Sequence, residues 1–233
     1  KKNWNDYLDW FEEKMGITEP TDWYSVTRHD FIRLRGGALL SGKFSGSLQQ
    51  ISLYRYPDFP WKGWRFQKVA SGYWENPNNC KEYLDYFAEI MNIKEPKDWY
   101  QITRKDFEDN EGGGILASFS TSPFAIISQH ISGEEWKPWL FRVAYNGFWN
   151  NHENQIWYMD WLAGELGVTE LDDWYLYDRD VLNRRNGGGL LRRYSSSLAR
   201  ILVTLYPNHE WDIPRLLKVG KTQMQIHKII EKI

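Results

Sequence analysis

The sequence repeats itself three times with a period of about 75 residues. The tripeptide Asp-Trp-Tyr begins at Asp22, Asp98 and Asp173, at intervals of 76 and 75 residues. A glycine run follows it each time, and a tryptophan closes each unit, at Trp61, Trp136 and Trp211. A period of this length with the same aromatic and glycine positions predicts an array of supersecondary units. Stacked arrays of this kind usually present extended binding surfaces.

The period also predicts the domain organisation. The second and third units open with a glycine, an aromatic residue and a tryptophan, at Gly72 to Trp74 and Gly147 to Trp149. Because the first unit lacks this opening, we expect it to be truncated at its N-terminus and the chain to be part of a longer polypeptide. The predicted units are repeats 1–74, 75–149 and 150–220, followed by a capping helix at 221–233.

Hydrophobic periodicity within each unit indicates helices. Tyr7, Leu8, Phe11 and Met15 are spaced to share one helical face, and the same pattern recurs in the other two units. We therefore predict a mainly α fold with three tandem repeats of about four short helices each, and small sheet content around residues 61–66. The predicted C-caps of the first helix are Gly16, Asn92 and Gly167. The predicted N-caps of later helices are Thr27, Thr103, Asp178, Ser47, Ser122 and Ser197.

Composition constrains the environment of the chain. Fourteen Trp, fourteen Tyr and eleven Phe supply the apolar area that such small units need to bury. The single cysteine, Cys80, has no partner for an intramolecular disulfide, which favours an intracellular protein with a buried thiol. Nucleus, organelle and cytoplasm stay open as locations. No apolar run reaches the roughly 18 residues of a membrane span, so we expect no membrane partner.

The residue types that carry catalysis lack a supporting pattern. The five histidines share no repeat position, and no Cys-x-x-Cys or His-x-x-x-His spacing occurs, which argues against a zinc site. The glycine runs lack the Lys-Ser/Thr of a nucleotide-binding loop. Their ordinary role is a tight turn that lets two short helices pack closely. Contact with a nucleic-acid phosphate, beside Arg192, Arg193 and the hydroxyls of residues 195–197, is the alternative. We therefore expect no enzyme, no metal and no cofactor.

Charge is distributed unevenly along the chain. The formal net charge is −2, which by itself gives nucleic acid no reason to approach. Residues 179–200, however, contain six arginines and one aspartate, and residues 28–43 contain four basic groups and one aspartate. The corresponding stretch of the second repeat, 104–119, has two basic and four acidic groups. The repeats thus share a scaffold but differ in surface charge.

The last two helices of each unit have the outline of a helix-turn-helix. A short helix, a tight turn with an N-cap serine and a second helix follow one another, and in such motifs the second helix usually enters the major groove of DNA. The pattern Leu-Leu-x-x-Phe/Tyr-Ser-x-Ser-Leu, present from Leu190 to Leu198, resembles part of the repeats that accompany homing endonucleases. That resemblance covers about 25 residues per unit, and it implies a DNA-binding helical module.

The function we predict is a non-catalytic tandem-repeat module that binds nucleic acid, double-stranded DNA rather than RNA, through basic faces of the first and third repeats. Other domains of a longer parent chain are further expected partners. A protein-interaction or targeting array that binds no nucleic acid is the alternative, and carbohydrate binding by exposed tryptophans is a third hypothesis. The predicted contact residues are Arg28, Arg33, Arg35, Lys43, Ser45, Gln49, Arg179, Arg184, Arg185, Arg192, Arg193, Ser196 and Arg200.

Overall fold

A computed structural model describes residues 4–217, and this part of the chain is mainly helical. Twelve α-helices and seven 3-10 helices have both ends within it, residues 213–217 are also helical, and no β-strand is present among the described residues. The backbone forms two compact units, Lys1–Glu134 and Glu135–Ile233. The predicted capping helix at 221–233 lies outside the described residues.

The first compact unit contains eight α-helices in its described part. They are α1 (Trp4–Met15), α2 (Arg28–Arg33), α3 (Gly37–Gly42), α4 (Leu48–Arg55), α5 (Pro77–Ile90), α6 (Arg104–Asp109), α7 (Gly113–Ser118) and α8 (Pro123–His130). Four 3-10 helices connect them, at Pro20–Ser25, Gly63–Arg65, Tyr73–Glu75 and Pro96–Gln101.

The second compact unit contains four α-helices with both ends in its described part, and residues 213–217 are also helical. They are α9 (His152–Leu166), α10 (Asp180–Arg184), α11 (Gly188–Arg193) and α12 (Leu198–Leu205). Its 3-10 helices are Pro138–Leu140, Phe148–Asn150 and Leu171–Leu176. One long helix, one 3-10 helix and three short helices therefore follow one another three times along the described chain. The repeat boundaries at 74 and 149 stay a prediction.

The ends of the long helices follow the predicted cap chemistry. Gly16, Asn92 and Gly167 adopt left-handed φ values of 68°, 54° and 70°. The next residue then folds back on the helix, as where Val168 N–H donates to the Ala163 carbonyl at 2.9 Å. This hydrogen bond satisfies a carbonyl that the helix end would otherwise leave without a donor.

The starts of the short helices confirm five of the six predicted N-caps. The side chains of Ser47, Ser122 and Ser197 each accept a backbone N–H of the first turn, and Thr27 and Thr103 do so within complete capping boxes.

The sixth prediction, Asp178, is wrong by one residue. Helix α10 begins at Asp180, and Arg179 occupies its N-cap position. The Asp178 carboxylate instead accepts the N–H of Asp180 at 2.9 Å. A short acidic side chain readily bonds the backbone two residues on. Val181, at the third position after Asp178, cannot complete a capping box.

Two local expectations differ from the structure. Residues 63–65 form a 3-10 helix instead of sheet, since neither this segment nor its neighbours has an alternating apolar pattern. Gly36, Gly112 and Gly187 have negative φ values, so the turn does not use their conformational freedom. They are needed for close approach, because a Cβ atom at Gly112 would lie 2.8 Å from the carbonyl oxygen of Phe107.

Each residue of the Asp-Trp-Tyr tripeptide makes a different structural contact. In the first repeat, the Asp22 carboxylate accepts the N–H groups of Glu19 and Thr18 at 3.0 and 2.8 Å, which lowers its pKa. Trp23 is fully buried in the core. The Tyr24 hydroxyl accepts the N–H of Lys62 at 2.8 Å. The tripeptide therefore ties the turn, the core and the closing segment of the repeat together.

A buried carboxylate in the first repeat has no counterpart in the other two. Glu12 accepts hydrogen bonds from Trp23 Nε1 at 3.0 Å, the Tyr56 hydroxyl at 3.0 Å and Arg55 Nη2 at 2.8 Å. Arg55 also forms an ion pair with Asp9. At the positions of Glu12 and Arg55 the third repeat has an alanine and a buried leucine, Ala163 and Leu205.

The Glu12 network generates a stability prediction. We expect Glu12→Ala to lower the free energy of unfolding by about 3 kcal/mol, because it leaves the largely buried Arg55 guanidinium without its main partner. The double variant Glu12→Ala/Arg55→Leu, which carries the residues of the third repeat, should recover at least half of this loss. Urea unfolding followed by tryptophan fluorescence measures both values. A double variant as unstable as Glu12→Ala would contradict this account.

The second repeat has a histidine, His130, at the position of Arg55. Its Nε2 atom is buried without a hydrogen-bond partner in the described chain, and burial lowers its pKa below the usual 6.5. The unfolded chain therefore binds this proton more readily than the folded chain. Stability from the neutral histidine is present above pH 6.5 and is lost as the pH falls through the folded pKa.

We predict that His130→Leu reduces the acid sensitivity of folding. Between about pH 7.5 and about pH 5 the melting temperature of the wild type should fall further than that of the variant. Circular dichroism melts at the two pH values measure the difference, and His29→Leu, at an exposed site, is the matched control. An equal fall in melting temperature for the wild type and both variants would show that His130 does not couple folding to pH.

Candidate nucleic-acid interface

The thirteen predicted contact residues fall into both compact units. The first unit contains Arg28, Arg33, Arg35, Lys43, Ser45 and Gln49. The second unit contains Arg179, Arg184, Arg185, Arg192, Arg193, Ser196 and Arg200. The two sets differ in how far their cations are already engaged within the protein.

The second unit presents its arginines at helix ends. Arg184 and Arg185 lie at the end of α10, Arg192 and Arg193 at the end of α11, and Arg200 in the first turn of α12. We call residues 184–200 the arginine segment. All five side chains are exposed, and among residues 4–217 none of them forms an ion pair with a carboxylate. The segment therefore carries five positive charges with no compensating acid.

Two arginines of the second unit have partners within it. Arg193 donates from Nη1 to the Asn150 side-chain oxygen at 2.8 Å, which holds its guanidinium in place without neutralising it. Arg179 Nε lies 3.9 Å from Asp180, a long and exposed contact of little energetic value. Asn150 belongs to a 3-10 helix and was not predicted from the sequence, since nothing in its local pattern indicates a contact 43 residues away.

The turn between α11 and α12 presents hydroxyl groups beside the arginines. Ser195 and Ser196 adopt left-handed φ values of 54° and 58°, and both are exposed. The Ser196 N–H donates to the Leu191 carbonyl at 2.7 Å, which fixes the turn. Ser197 accepts the N–H of Arg200 as the N-cap of α12.

An open pocket of about 510 Å³ lies along α12 in the second unit. Arg193 and Arg200 line it together with the serine turn, so the structure brings these two predicted residues to one site. Its apolar part was not predicted from the sequence. The apolar lining residues are Ala199, Val203, Ile213 and Leu217. Val203 could have indicated this apolar lining from the sequence, because it is an apolar residue outside the buried face of α12.

The predicted cations of the first unit are less available. Arg33 forms an ion pair with Asp30 at 3.3 Å. The Lys43 ammonium lies 3.7 Å from the centre of the Tyr54 ring in a cation–π contact. Arg28 and Arg35 are exposed and form no ion pair in the described chain.

The neutral residues predicted in the first unit lie in the turn after α3 and in the first turn of α4. Ser45 is exposed with a left-handed φ of 49°, whereas Gln49 is half-buried on α4. Arg28 lies against this turn, since a Cβ atom at Gly46 would be 3.0 Å from its Nη1 atom. The first unit thus brings Arg28 and Ser45 to one turn.

The second repeat pairs the two cations of its α6 helix with acidic residues. Arg104 pairs with Glu108 at 2.7 Å and Lys105 pairs with Asp109 at 2.6 Å, both on α6. Its turn between α7 and α8 has the same left-handed conformation as that of the third repeat but contains no basic residue. The shared turn is therefore a scaffold feature, and the charges are specific to the third repeat.

Burial bears on two other sequence hypotheses. Trp23, Trp99 and Trp174 have relative exposures of 0%, 5% and 1%, which removes the best candidates for carbohydrate stacking. Cys80 is buried as predicted, and its thiol donates to the Trp74 carbonyl at 3.1 Å. Burial raises the pKa of this thiol, which disfavours the nucleophilic thiolate.

Between residues 4 and 217 no group of three or more His, Cys, Asp or Glu side chains is arranged to hold a metal ion. None of the helices described is long and apolar enough to cross a membrane. A scan against protein-family models, a search of curated proteins and a search of solved structures gave no match to this chain.

Proposed function

We propose that the chain is a non-catalytic nucleic-acid-binding module and that the arginine segment of its third repeat is the main contact surface. The observation that carries the proposal is the set of five exposed arginines without a carboxylate partner in the described chain. Neutralising phosphates with such groups releases counterions, which is the main source of sequence-independent affinity.

The serine turn supports phosphate contact in particular. Hydroxyl groups and arginines are among the usual donors to phosphate oxygens. Ser195 and Ser196 are exposed at a turn flanked by Arg192, Arg193 and Arg200, so both donor types are close in sequence at one helix start. We infer that this start faces the nucleic-acid backbone, and that double-stranded DNA is the preferred form, with α12 toward the major groove as in a helix-turn-helix.

The first and second repeats have different roles in this proposal. Arg28 and Arg35 are the two predicted cations of the first repeat that form no ion pair in the described chain, so they add a weaker contact. The second repeat contributes little, because Arg104 and Lys105 are paired within α6. The acidic middle of the array then acts as a spacer.

We predict that Arg192→Ala/Arg200→Ala weakens binding to duplex DNA by about tenfold or more at ~0.1 M salt and lowers the slope of log K against log salt by about two. Neither side chain forms a hydrogen bond or ion pair in the described chain, so folding should be unaffected. Fluorescence anisotropy with duplex DNA, duplex RNA and single-stranded probes, each at several salt concentrations, measures affinity and preference.

The matched control is Arg104→Ala/Lys105→Ala, which removes the same number of positive charges where they are already paired. It should change affinity and salt slope little, and an equal loss in both variants would indicate a general charge effect. If the wild type fails to bind every probe at about 50 mM salt, the proposal is wrong and a protein-interaction array becomes the better account.

A further inference from the structure

An exposed serine of the third repeat lies directly after two arginines and a tyrosine. The chain reads Arg-Arg-Tyr-Ser from Arg192 to Ser195, and both arginines and the serine are exposed. Ser195 therefore has positive charges two and three positions before its hydroxyl group. Many protein kinases select serines by such a charge pattern, because acidic groups in their substrate clefts pair with the arginines. The segment therefore fits an arginine-directed kinase.

Ser195 lies in a turn that is anchored on both sides by buried side chains. Leu191 precedes the turn and Leu198 follows it, with relative exposures of 2% and 7%. Ser195 and Ser196 have left-handed φ values of 54° and 58°, a conformation that residues other than glycine seldom adopt. The hydrogen bond from the Ser195 N–H to the Arg192 carbonyl is long, at 3.4 Å. The turn is therefore a strained segment between two fixed ends.

This turn can open without disturbing the core. Opening breaks the hydrogen bond from the Ser196 N–H to the Leu191 carbonyl at 2.7 Å, and that from the Tyr194 hydroxyl to Gln155 at 2.6 Å. Both bonds lie at the surface side of the repeat, because Tyr194 is only half-buried and Ser196 is exposed. Local opening of this kind gives a kinase cleft access to the serine while the rest of the repeat stays folded.

The second repeat contains the same turn without the arginines. Ser120 and Thr121 are exposed and have φ values of 53° and 60°, close to those of Ser195 and Ser196. At the two positions of the arginines this repeat has an alanine and a serine, residues 117–118. One backbone therefore presents one serine with the charge pattern and one without it, which makes Ser120 an internal control.

The surroundings of Ser195 suit a phosphate group once it is attached. Ser195, Arg193 and Arg200 line the same open pocket of about 510 Å³. Ser195 also lies two residues before Ser197, the N-cap of α12, at the positive end of the helix dipole. A phosphoserine carries about −1.5 to −2 charges and three acceptor oxygens, which arginines and helix starts bind well. The phosphorylated side chain is therefore compatible with the folded turn.

We propose that Ser195 is a phosphorylation site for an arginine-directed protein kinase, and that its phosphate occupies the arginines that would otherwise contact nucleic acid. The Ser195 Oγ attacks the γ-phosphorus of ATP, and an O–P bond forms while the bond from that phosphorus to the β,γ-bridging oxygen breaks. ADP leaves with the electron pair, and the catalytic aspartate of the kinase takes the hydroxyl proton. The modification does not require nucleic-acid binding, whereas its regulatory effect rests on the proposed function.

The first test is phosphorylation of the full chain by the catalytic subunit of cyclic-AMP-dependent protein kinase with ATP, followed by peptide mapping in a mass spectrometer. We expect phosphate at Ser195 and none at Ser120. Arg192→Ala/Arg193→Ala should slow the modification of Ser195 by about tenfold or more, because it removes both charges that the kinase recognises.

A reverse variant and a peptide complete this test. Ala117→Arg/Ser118→Arg should make Ser120 an acceptor, because it transfers both charges to a turn of the same backbone conformation. A peptide with the sequence of residues 189–199 should be phosphorylated at Ser195.

Three results of the first test would overturn the proposal. An unmodified peptide would show that the segment is not recognised. A modified peptide with an unmodified full chain would show that the turn does not open. Equal modification of Ser195 and Ser120 in the wild type would show that the arginines do not select the site.

The second test compares the unmodified and the Ser195-phosphorylated chain for binding to duplex DNA by fluorescence anisotropy. Phosphorylation should weaken binding about tenfold at ~0.1 M salt and lower the slope of log K against log salt by about two, because its charge offsets about two arginines. In the control variant Ser195→Ala, treatment with kinase and ATP should leave the affinity unchanged.

The two proposals fail in different ways. If the phosphorylated chain binds duplex DNA as tightly as the unmodified chain, the regulatory effect of Ser195 is refuted. If the unmodified chain binds no probe at about 50 mM salt, the proposed function is wrong, and the mapping result still decides whether Ser195 is a kinase site.

Discussion

Burial of one indole per repeat, at Trp23, Trp99 and Trp174, is the interaction on which the rest of the structure depends. A unit of about 75 residues has too little interior to be stable without large side chains. Each such indole removes about 150–250 Å² from water, which stabilises the fold by about 4–6 kcal/mol. In the first repeat Phe11 and Phe31 pack against Trp23, so helices α1 and α2 meet at this side chain.

The same core accommodates different polar chemistry in each repeat. The first repeat buries Glu12 with Arg55, the second places His130 at the position of Arg55, and the third uses Leu205. A charged pair in the core is not required for stability, since an apolar pair of similar volume can replace it. The repeats are therefore free to diverge inside as well as on the surface.

The repeats also differ in the residues that they expose. Equivalent serine turns lie beside three arginines in the third repeat and beside no cation in the second. On the first repeat, Tyr7 and Trp10 form an apolar surface on α1, where Trp10 is 40% exposed. One scaffold can therefore present a basic turn in one repeat and an apolar surface in another, because neither needs a change in backbone.

Much of the fold follows from local sequence. Periodicity placed the long helices, and the caps at Ser47, Ser122 and Ser197 were predictable because an N-cap depends only on residues three positions apart. The arginine segment was visible for a similar reason, because it lies within a run of basic charge at residues 179–200. Asp178 is not the N-cap of α10, because its carboxylate accepts the N–H of Asp180, two residues on. Which backbone N–H an aspartate accepts depends on the local backbone geometry, and the residue type alone does not show it.

By itself the sequence determined the repeat, the helical class, the cap positions and the uneven charge, since each depends on residues close together in the chain. Only the tertiary structure decided which charges are free. Arg104 and Lys105 are paired, Lys43 lies on Tyr54, and Arg192 and Arg200 have no partner in the described chain. Burial of the tripeptide tryptophans and exposure of Trp10 likewise depend on residues distant in sequence. Tryptophans in the core and tryptophans on the surface have similar local sequence patterns, and only tertiary packing distinguishes the two.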